Sequence, residues 1–350
     1  MAEQELLFSV QDMANIQEPE WDLPDLTTLP KKLEGDVIAI DLETRDDGIR
    51  DNKGSGWPWK GGFVTGYSIC ADNWQGYIPI AHATGGNCDP VRARAWLNDV
   101  LSDEKQGKVG ANILYDYGWS DADGVHIKGP LHDVQYAAAL LDEQRWSYSL
   151  DSLSKDMLKE GKDETLLKRA AAAWGVDPKG GLWRLPAQFV AQYAEMDAVL
   201  ALRLHKILQG KLKAENLEKL YDLEVGLIRL YHDMRKRGVR VNLDRAVQLR
   251  DGWRQGVVDI VKDIKTRTGF AVDVWSAESL GKALRKENIQ LMFTEKTHKI
   301  SITGEWLKNT DHWLTKQILK ARELDKLAET FIDSAILGLS LIHISEPTRP

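Results

Sequence analysis

The sequence predicts an α/β protein in the first half of the chain, followed by a mainly helical region. Short runs of apolar and β-branched residues alternate with charged, glycine-containing segments between residues 37 and 113, as expected for strands. After residue 186 the apolar residues recur at three- and four-residue steps, which is typical of amphipathic helices. The predicted strands are residues 37–42, 63–71, 76–80 and 109–113.

The first predicted strand ends in two acids. Residues 37–40 form an apolar run, and Asp41 and Glu43 follow with Leu42 between them. Side chains two residues apart share one face of a strand, roughly 6.6 Å apart along its axis, so both carboxylates point the same way. An Asp-x-Glu pair at a strand end is more often a solvated turn, so this motif needs support from elsewhere in the chain.

A third acid follows the fourth predicted strand. Asn112 lies where the predicted strand leads into a turn, and Asp116 lies at the start of a helix predicted to begin near Tyr115. Asparagine side chains readily bond nearby backbone, so Asn112 is expected to tie down the turn. The alternative is an ordinary loop asparagine and an aspartate favoured by the helix dipole.

Residues 186–208 are predicted to form an amphipathic helix that carries Tyr193 and Asp197. Side chains four residues apart lie on one face of a helix, with about 6 Å of rise between them, so a phenol and a carboxylate can act on the same water. For an isolated Tyr-x-x-x-Asp the alternative is a half-buried tyrosine beside a surface aspartate.

Taken in order, the motifs resemble the DEDD exonuclease superfamily. Asp41-x-Glu43, Asn112-x-x-x-Asp116 and Tyr193-x-x-x-Asp197 are similar to the three motifs of its tyrosine-bearing DEDDy branch, which is attached to family A DNA polymerases of bacteria and bacteriophages. Residues 76–82 resemble the third strand of that family, and His132-Asp133, which opens a predicted apolar helix over residues 134–141, resembles the segment after its second motif. The resemblance covers residues 32–211.

The resemblance implies an RNase H-like fold, a mixed sheet flanked by helices. It also implies two divalent ions, Mg²⁺ or Mn²⁺, with Asp41, Glu43 and Asp197 at the first ion, Asp41 bridging to the second, and Asp116 acting on the second through water. Tyr193 and Glu43 would orient the attacking water. The implied reaction is stepwise 3′-to-5′ release of nucleoside monophosphates from single-stranded DNA. The candidates for substrate contacts are Leu42, Thr44 and Asn112.

Charge is distributed unevenly along the chain. The net charge is −7, but residues 1–210 carry −12 and residues 211–350 carry +5. An acidic part that concentrates cations is thus joined to a basic part that can meet phosphates. Met1 to Val10 has no basic region before an apolar stretch, no run has membrane-spanning length, and the two cysteines form no disulfide framework. We therefore expect a protein of the cytoplasm of a bacterial or phage-infected cell, without a membrane partner.

The region after Lys211 is predicted to begin with one long amphipathic helix over residues 215–237. Its apolar positions are Leu217, Leu220, Leu223, Leu227, Leu230, Tyr231 and Met234. Residues 224–250 resemble the segment that leads into the thumb of family A polymerases, which grips primer–template duplex. The resulting candidates for phosphate contacts are Lys262, Lys265, Arg267, Lys282, Arg285 and Lys286.

The palm and finger motifs of a polymerase are not found in this sequence. Residues 330–333 resemble a thumb segment, whereas residues 339–349 look like a translated sequencing adapter, which predicts a truncated reading of a longer gene. The alternative is a natural short protein with an apolar tail. The predicted divisions are an N-terminal extension (1–31), an exonuclease domain (32–211), a thumb-like region (212–338) and the tail (339–350).

Two other functions remain open at this point. An RNA-processing exonuclease similar to RNase D shares the same five residues, and would use the region after Lys211 as a helical RNA-binding domain. A non-catalytic DNA-binding module is the other alternative, although all five motif residues are present.

Overall fold

The computed structural model describes residues 18–51 and 54–338, and the chain divides into two compact units. The first unit is Met1–Gly238 and the second is Val239–Pro350. Most of the predicted N-terminal extension and the whole adapter-like tail lie outside the described residues.

A five-stranded mixed sheet forms the centre of the first unit. Its order is β3-β2-β1-β4-β5, in which β1, β2 and β3 are antiparallel neighbours and β1, β4 and β5 are parallel neighbours. This confirms the predicted fold class. The strands are β1 (Val37–Asp46), β2 (Gly62–Cys70), β3 (Gln75–Pro79), β4 (Gly107–Gly110) and β5 (Leu131–Asp133).

β1 is longer than predicted, because it stays paired with β2 as far as Asp46, opposite Gly62. The prediction that the strand ends at the acids is therefore wrong, since Asp41 and Glu43 lie within the paired part. Beyond Glu43 the register shifts by one residue, which leaves Thr65 of β2 as a bulge. The carbonyl of Thr65 accepts bonds from the N–H groups of Ile80 (2.8 Å) and Ala81 (3.0 Å).

The fourth predicted strand is shorter than expected and its helix begins earlier. β4 ends at Gly110 and the next helix starts at Ile113, because Asn112 adopts a left-handed conformation with φ of 69°. The Asn112 side chain makes no capping bond, contrary to the expected role in the turn. Asparagine suits this position because it tolerates the left-handed region better than most residues.

Helices cover the sheet and follow it. Those of the first unit are α1 (Asp47–Arg50), α2 (Pro90–Leu101), α3 (Ile113–Ala122), α4 (Val134–Leu141), α5 (Leu150–Met157), α6 (Thr165–Ala173), α7 (Ala187–Ala214), α8 (Glu218–Gly226) and α9 (Ile228–Arg237). A short 3₁₀ turn, Leu182–Arg184, precedes α7. Among the described residues no helix is long and apolar enough to cross a membrane.

The predicted single helix over residues 215–237 is two helices, α8 and α9, which break at Leu227. The N–H of Leu227 bonds the carbonyl of Glu224, a three-residue step that tightens the chain just after the flexible Gly226. The predicted apolar face is covered only in part: Leu217, Leu227 and Tyr231 are half-buried, whereas Leu220, Leu223, Leu230 and Met234 are exposed. The fully buried side chains of these two helices are instead Tyr221, Val225, Ile228 and His232.

The second unit has its own apolar core, which includes Ile264, Leu284 and Ile318. The half-buried Arg322 donates hydrogen bonds to the carbonyls of two residues of this core, Val274 (2.7 Å) and Ile302 (3.0 Å). Its helices are α10 (Leu243–Thr268), α11 (Ala277–Lys286), α12 (Gly304–Asn309), α13 (Trp313–Lys326) and a π-helical segment (Leu327–Leu337), and a two-stranded ribbon pairs β6 (Met292–Phe293) with β7 (Ile300–Ser301).

Candidate active site

β1 places Asp41 and Glu43 in the first part of the site. Leu42 between them is buried in the core, as the alternation of a strand requires. Burial, and then the charge of Asp197, raises the pKa of Asp41 to about 7. Burial and the charge of Asp41 raise the pKa of Glu43 well above its usual value. Each carboxylate therefore lies in the electrostatic field of the other acids.

α3 brings Asp116 to these acids from its first turn. Its Oδ1 accepts a hydrogen bond of 3.2 Å from the backbone N–H of Leu42, which fastens the helix to β1. Burial and then the charge of Asp41 raise the pKa of Asp116 well above its usual value. Asp116 thus lies close enough to Asp41 for the two charges to interact.

α7 contributes Tyr193 and Asp197 from one face, as the four-residue spacing predicted. The Asp197 side chain is 6% exposed; its Oδ2 accepts a 2.6 Å bond from the ammonium of Lys162, while its Oδ1 is buried without a hydrogen-bond partner. Burial and then the charge of Glu43 raise the pKa of Tyr193 far above its usual range. The phenol is therefore a hydrogen-bond donor at any ordinary pH.

The structure thus brings the five predicted site residues together from three segments. Within residues 18–51 and 54–338, however, no three acidic, histidine or cysteine side chains are already spaced to hold a metal ion. The cation that the structure places at the acids is the ammonium of Lys162.

Lys162 was not predicted from the sequence. It lies in the loop between α5 and α6, its side chain is 13% exposed, and its ammonium lies 5.1 Å from the centre of the Tyr193 ring. The surrounding run Lys159–Glu164 contains five charged residues, and such runs usually form a solvated surface. No sequence signal separated Lys162 from its neighbours.

Asp133 organises the helices around the site. One oxygen of its buried carboxylate accepts a 2.8 Å bond from the N–H of Ile113 at the start of α3, and the other accepts a 2.7 Å bond from the N–H of Gln135 at the start of α4. One side chain thus fixes the start of the helix that carries Asp116. An aspartate just before an apolar run is a helix N-cap signal, and it correctly marked the start of α4.

The three residues proposed for substrate contacts occupy different places. Leu42 is buried, and Asn112 forms the turn before α3. The Thr44 hydroxyl lies 2.6 Å from that of Tyr115. Tyr115 also donates to Asp46, which fastens α3 to the end of β1.

A tyrosine and a glycine form the sheet surface opposite Glu43. Gly66 pairs with Glu43 in the ladder, and a Cβ at this position would lie 2.3 Å from the Tyr77 ring. The Tyr77 hydroxyl lies 2.8 Å from Nε2 of His82, whose Nδ1 lies 2.8 Å from the carbonyl of Leu185. Since a carbonyl only accepts, Nδ1 carries the proton and Nε2 accepts from Tyr77.

Comparison with known proteins relates the chain to polymerase-associated nucleases. Residues 21–213 match the family described as 3′–5′ exonuclease. The chain is 32% identical to the DNA-directed DNA polymerase of Pseudomonas phage M6, over 90% of this chain and 48% of that protein. It is 25% identical to DNA polymerase I of Chloroflexus aurantiacus, over 74% of this chain and 28% of that protein.

The chain spans about half or less of the length of these curated relatives. Among solved structures, the POL domain of Pol1 from M. smegmatis, in complex with DNA primer–template and dNTP, has a TM-score of 0.60 at 17% identity. The similarity covers 86% of this chain and 46% of that chain. At this identity the comparison shows a shared fold.

Proposed function

Because the chain belongs to the 3′–5′ exonuclease family of family A DNA polymerases, it is a nucleic-acid hydrolase, and we propose that it removes nucleotides one at a time from the 3′ end of single-stranded DNA. The observation that carries the proposal is the convergence of four carboxylates and one tyrosine from β1, α3 and α7, of which Glu43, Asp116 and Asp197 are buried and Asp41 and Tyr193 half-buried. The products are nucleoside monophosphates, and the proposed cofactors are two Mg²⁺ or Mn²⁺ ions.

The donor set suits these ions. Mg²⁺ and Mn²⁺ prefer oxygen ligands, and the buried Oδ1 of Asp197 has no partner in the protein. Asp41, Glu43 and Asp197 would hold one ion, and Asp41 and Asp116 would hold the second. Because Lys162 now bonds Asp197, we expect ion binding to release this ammonium.

Bound divalent ions supply hydroxide from water and stabilise the charge on the attacking and leaving oxygens. The side chains place the water. Tyr193 stays protonated, so its hydroxyl donates a hydrogen bond that orients the nucleophile, and Glu43 accepts a bond that aligns it. Hydrogen bonds keep the orientation of Asp116 fixed, because its carboxylate accepts a bond from β1 and Asp133 fixes the start of α3.

The test is degradation of 5′-labelled single-stranded DNA. With Mg²⁺ or Mn²⁺ the protein should shorten the strand in single-nucleotide steps, and EDTA should stop the reaction. Asp41→Ala should leave the circular dichroism spectrum unchanged and abolish shortening. Tyr193→Phe should slow it roughly 10²-fold, the lower end of the usual contribution of a group that acts on a reacting water.

Two results would contradict the proposal. Undiminished degradation by Asp41→Ala would place the reaction elsewhere, and shortening from a 5′ end would reverse the proposed polarity. An RNA strand of the same sequence tests the choice of substrate. Faster hydrolysis of RNA than of DNA would show that RNA is the preferred substrate.

We also propose that the chain is the proofreading part of a family A DNA polymerase, whose palm and fingers lie outside this sequence. Support comes from the relatives, of which it spans about half or less, and from the shared fold with a polymerase domain over 86% of the chain. In this proposal the second unit contacts primer–template duplex. The six basic candidates on α10 and α11 are all exposed, as phosphate contacts require.

A further inference from the structure

The row of side chains that begins with Asp41 and Glu43 continues to Arg45, where it meets two aromatic rings. Arg45 pairs with Phe63 across the β1–β2 ladder, and its guanidinium carbon lies 4.8 Å from the centre of the Trp183 ring and 5.8 Å from that of Phe63. The two rings meet edge to face, with centroids 6.0 Å apart. Since residues two apart on a strand share a face, this cluster lies one side-chain step, roughly 6.6 Å, beyond Glu43.

A second cation covers the same indole. The guanidinium carbon of Arg184 lies 4.9 Å from the centre of the Trp183 ring. Arg184 is exposed, and Trp183 and Arg45 are half-buried. Arg184 forms no ion pair with another described residue, and Arg45 pairs only with the half-exposed Asp47, at 2.9 Å. Exposed ion pairs of this kind are weak, so both guanidinium groups are available to bind an anionic ligand.

The backbone beneath this cluster is fixed by hydrogen bonds from residues 82–84. The carbonyl of Trp183 accepts a 2.8 Å bond from the N–H of Ala83, and that of Arg184 accepts a 3.1 Å bond from the hydroxyl of Thr84. The carbonyl of Leu185 accepts the bond from His82 already described. Three successive carbonyls are therefore satisfied within the protein, which fixes the backbone that carries the side chains of Trp183 and Arg184.

We propose that Trp183, Arg45 and Arg184 form a subsite for the nucleotide next to the one that is removed. The indole stacks on its base, which requires no particular sequence because every base has a π-face. The guanidinium groups pair with backbone phosphates, whose geometry suits their planar fork. This inference rests on the proposed exonuclease function, and it assigns the strand a path along β1 from the acids toward the turn Leu182–Arg184.

The first test is calorimetric binding of two ligands in Mg²⁺: thymidine tetranucleotide with a phosphorothioate at its 3′-terminal linkage, and thymidine monophosphate. Trp183→Ala should weaken tetranucleotide binding roughly tenfold, whereas Trp183→Phe should retain most of it. The affinity for the monophosphate should not change, because one nucleotide occupies only the terminal position. Trp74→Ala is the matched control, since Trp74 is a half-buried tryptophan beyond the opposite end of the β1–β2 ladder.

The second test is the salt dependence of the same binding. Arg45→Ala and Arg184→Ala should each lower the slope of log affinity against log salt by about 0.7, the value for one lost phosphate contact on a single strand. If Trp183→Ala does not fold, these two arginine variants still test the proposed subsite.

Several outcomes would overturn the inference. Wild-type tetranucleotide affinity in Trp183→Ala, with unchanged salt slopes in the arginine variants, would remove the subsite. Equal losses for both ligands would mark a general distortion of the site. If the wild-type protein shortens DNA and only this binding pattern is absent, the subsite alone fails; if it neither shortens DNA nor binds the tetranucleotide, the exonuclease proposal fails with it.

Discussion

At the scale of single residues, the pair formed by Lys162 and Asp197 brings a positive charge into a site of four acids. Its side chains are 13% and 6% exposed, so neither charge is well solvated. Removing one member of a buried pair leaves the other charge without compensation, which costs far more than losing an exposed pair. The ammonium therefore stabilises the acids when no metal ion is bound.

Lys162→Met should lower the free energy of unfolding by roughly 3 kcal/mol in EDTA, the lower end of the usual cost of breaking a buried pair. Added Mg²⁺ should restore more stability to this variant than it adds to the wild type, because the ion replaces the lost positive charge. Urea unfolding with EDTA and with Mg²⁺ measures both effects.

Lys155→Met is the control for this experiment. Lys155 forms an exposed pair with Asp151 at 2.7 Å, with side chains 62% and 39% exposed, so its loss should cost about 0–1 kcal/mol. If the two variants are equally stable in EDTA, the ammonium of Lys162 does not compensate the acids.

The sequence predicted the five motif residues because their chemistry depends on spacing, two along a strand and four along a helix. It did not predict Lys162 or Trp183, whose roles depend on contacts between distant segments. Lys162 bonds Asp197, which lies 35 positions away in the sequence. Trp183 contacts Arg45 of β1 from a three-residue turn, which is too short to show periodicity. Nothing local distinguishes such residues from an ordinary charged or aromatic loop residue.

At the scale of elements, His82 links β3 to the turn before α7. Burial lowers the pKa of His82 to about 4, so the ring stays neutral between Tyr77 and Leu185. The unfolded chain takes up a proton near pH 6.5, whereas the folded chain resists it until about pH 4. The stability that neutral His82 provides is therefore full above pH 6.5, and falls by up to about 3 kcal/mol as the pH drops to 4.

His82→Gln should accordingly be less stable than the wild type at pH 7, and the difference should shrink as the pH falls from 7 to 4. Urea unfolding at several pH values measures it. The raised pKa values of Asp41 and Asp133 act in the opposite direction, but they are present in both proteins and cancel in the difference. A difference that stays constant with pH would contradict the role of His82.

Helices and strands were predicted well where the local sequence pattern determines their bounds, and poorly where pairing or packing with another element determines them. α4 begins and ends where the apolar run predicted. β1 extends past its apolar residues because β2 supplies hydrogen-bond partners to Asp46, and β4 stops early because Asn112 turns the chain. The exposed leucines of α8 and α9 have the right period, but packing selected the face with Tyr221 and Ile228.

At the scale of the whole molecule, the apolar cores of the two units do not share described residues. The cores of the first unit end at Tyr231, and that of the second begins at Val257. The Tyr221 hydroxyl accepts a 3.0 Å hydrogen bond from the N–H of Asp133 in β5. Arg229 donates to the carbonyl of Gly129 at 2.7 Å. α8 and α9 thus complete the first unit.

Residues 1–238 alone should fold and retain exonuclease activity, whereas residues 1–211 should be several kcal/mol less stable. The shorter fragment loses Tyr221, Val225 and Ile228 from the core, and each buried side chain of this size contributes about 1.5–3 kcal/mol. Thermal unfolding by circular dichroism and the DNA assay compare the two fragments. Equal stability would instead support the predicted domain boundary at residue 211.

The separate cores also set an order of events during synthesis. Once Gly238 has left the ribosome, every described residue in the cores of the nuclease unit is available, while the following residues of the chain are still being added. At about 5–20 residues per second, translating the 100 residues from Val239 to Gly338 takes on the order of ten seconds, far longer than most domains need to fold. The nuclease is therefore able to mature on the ribosome before the helical unit exists.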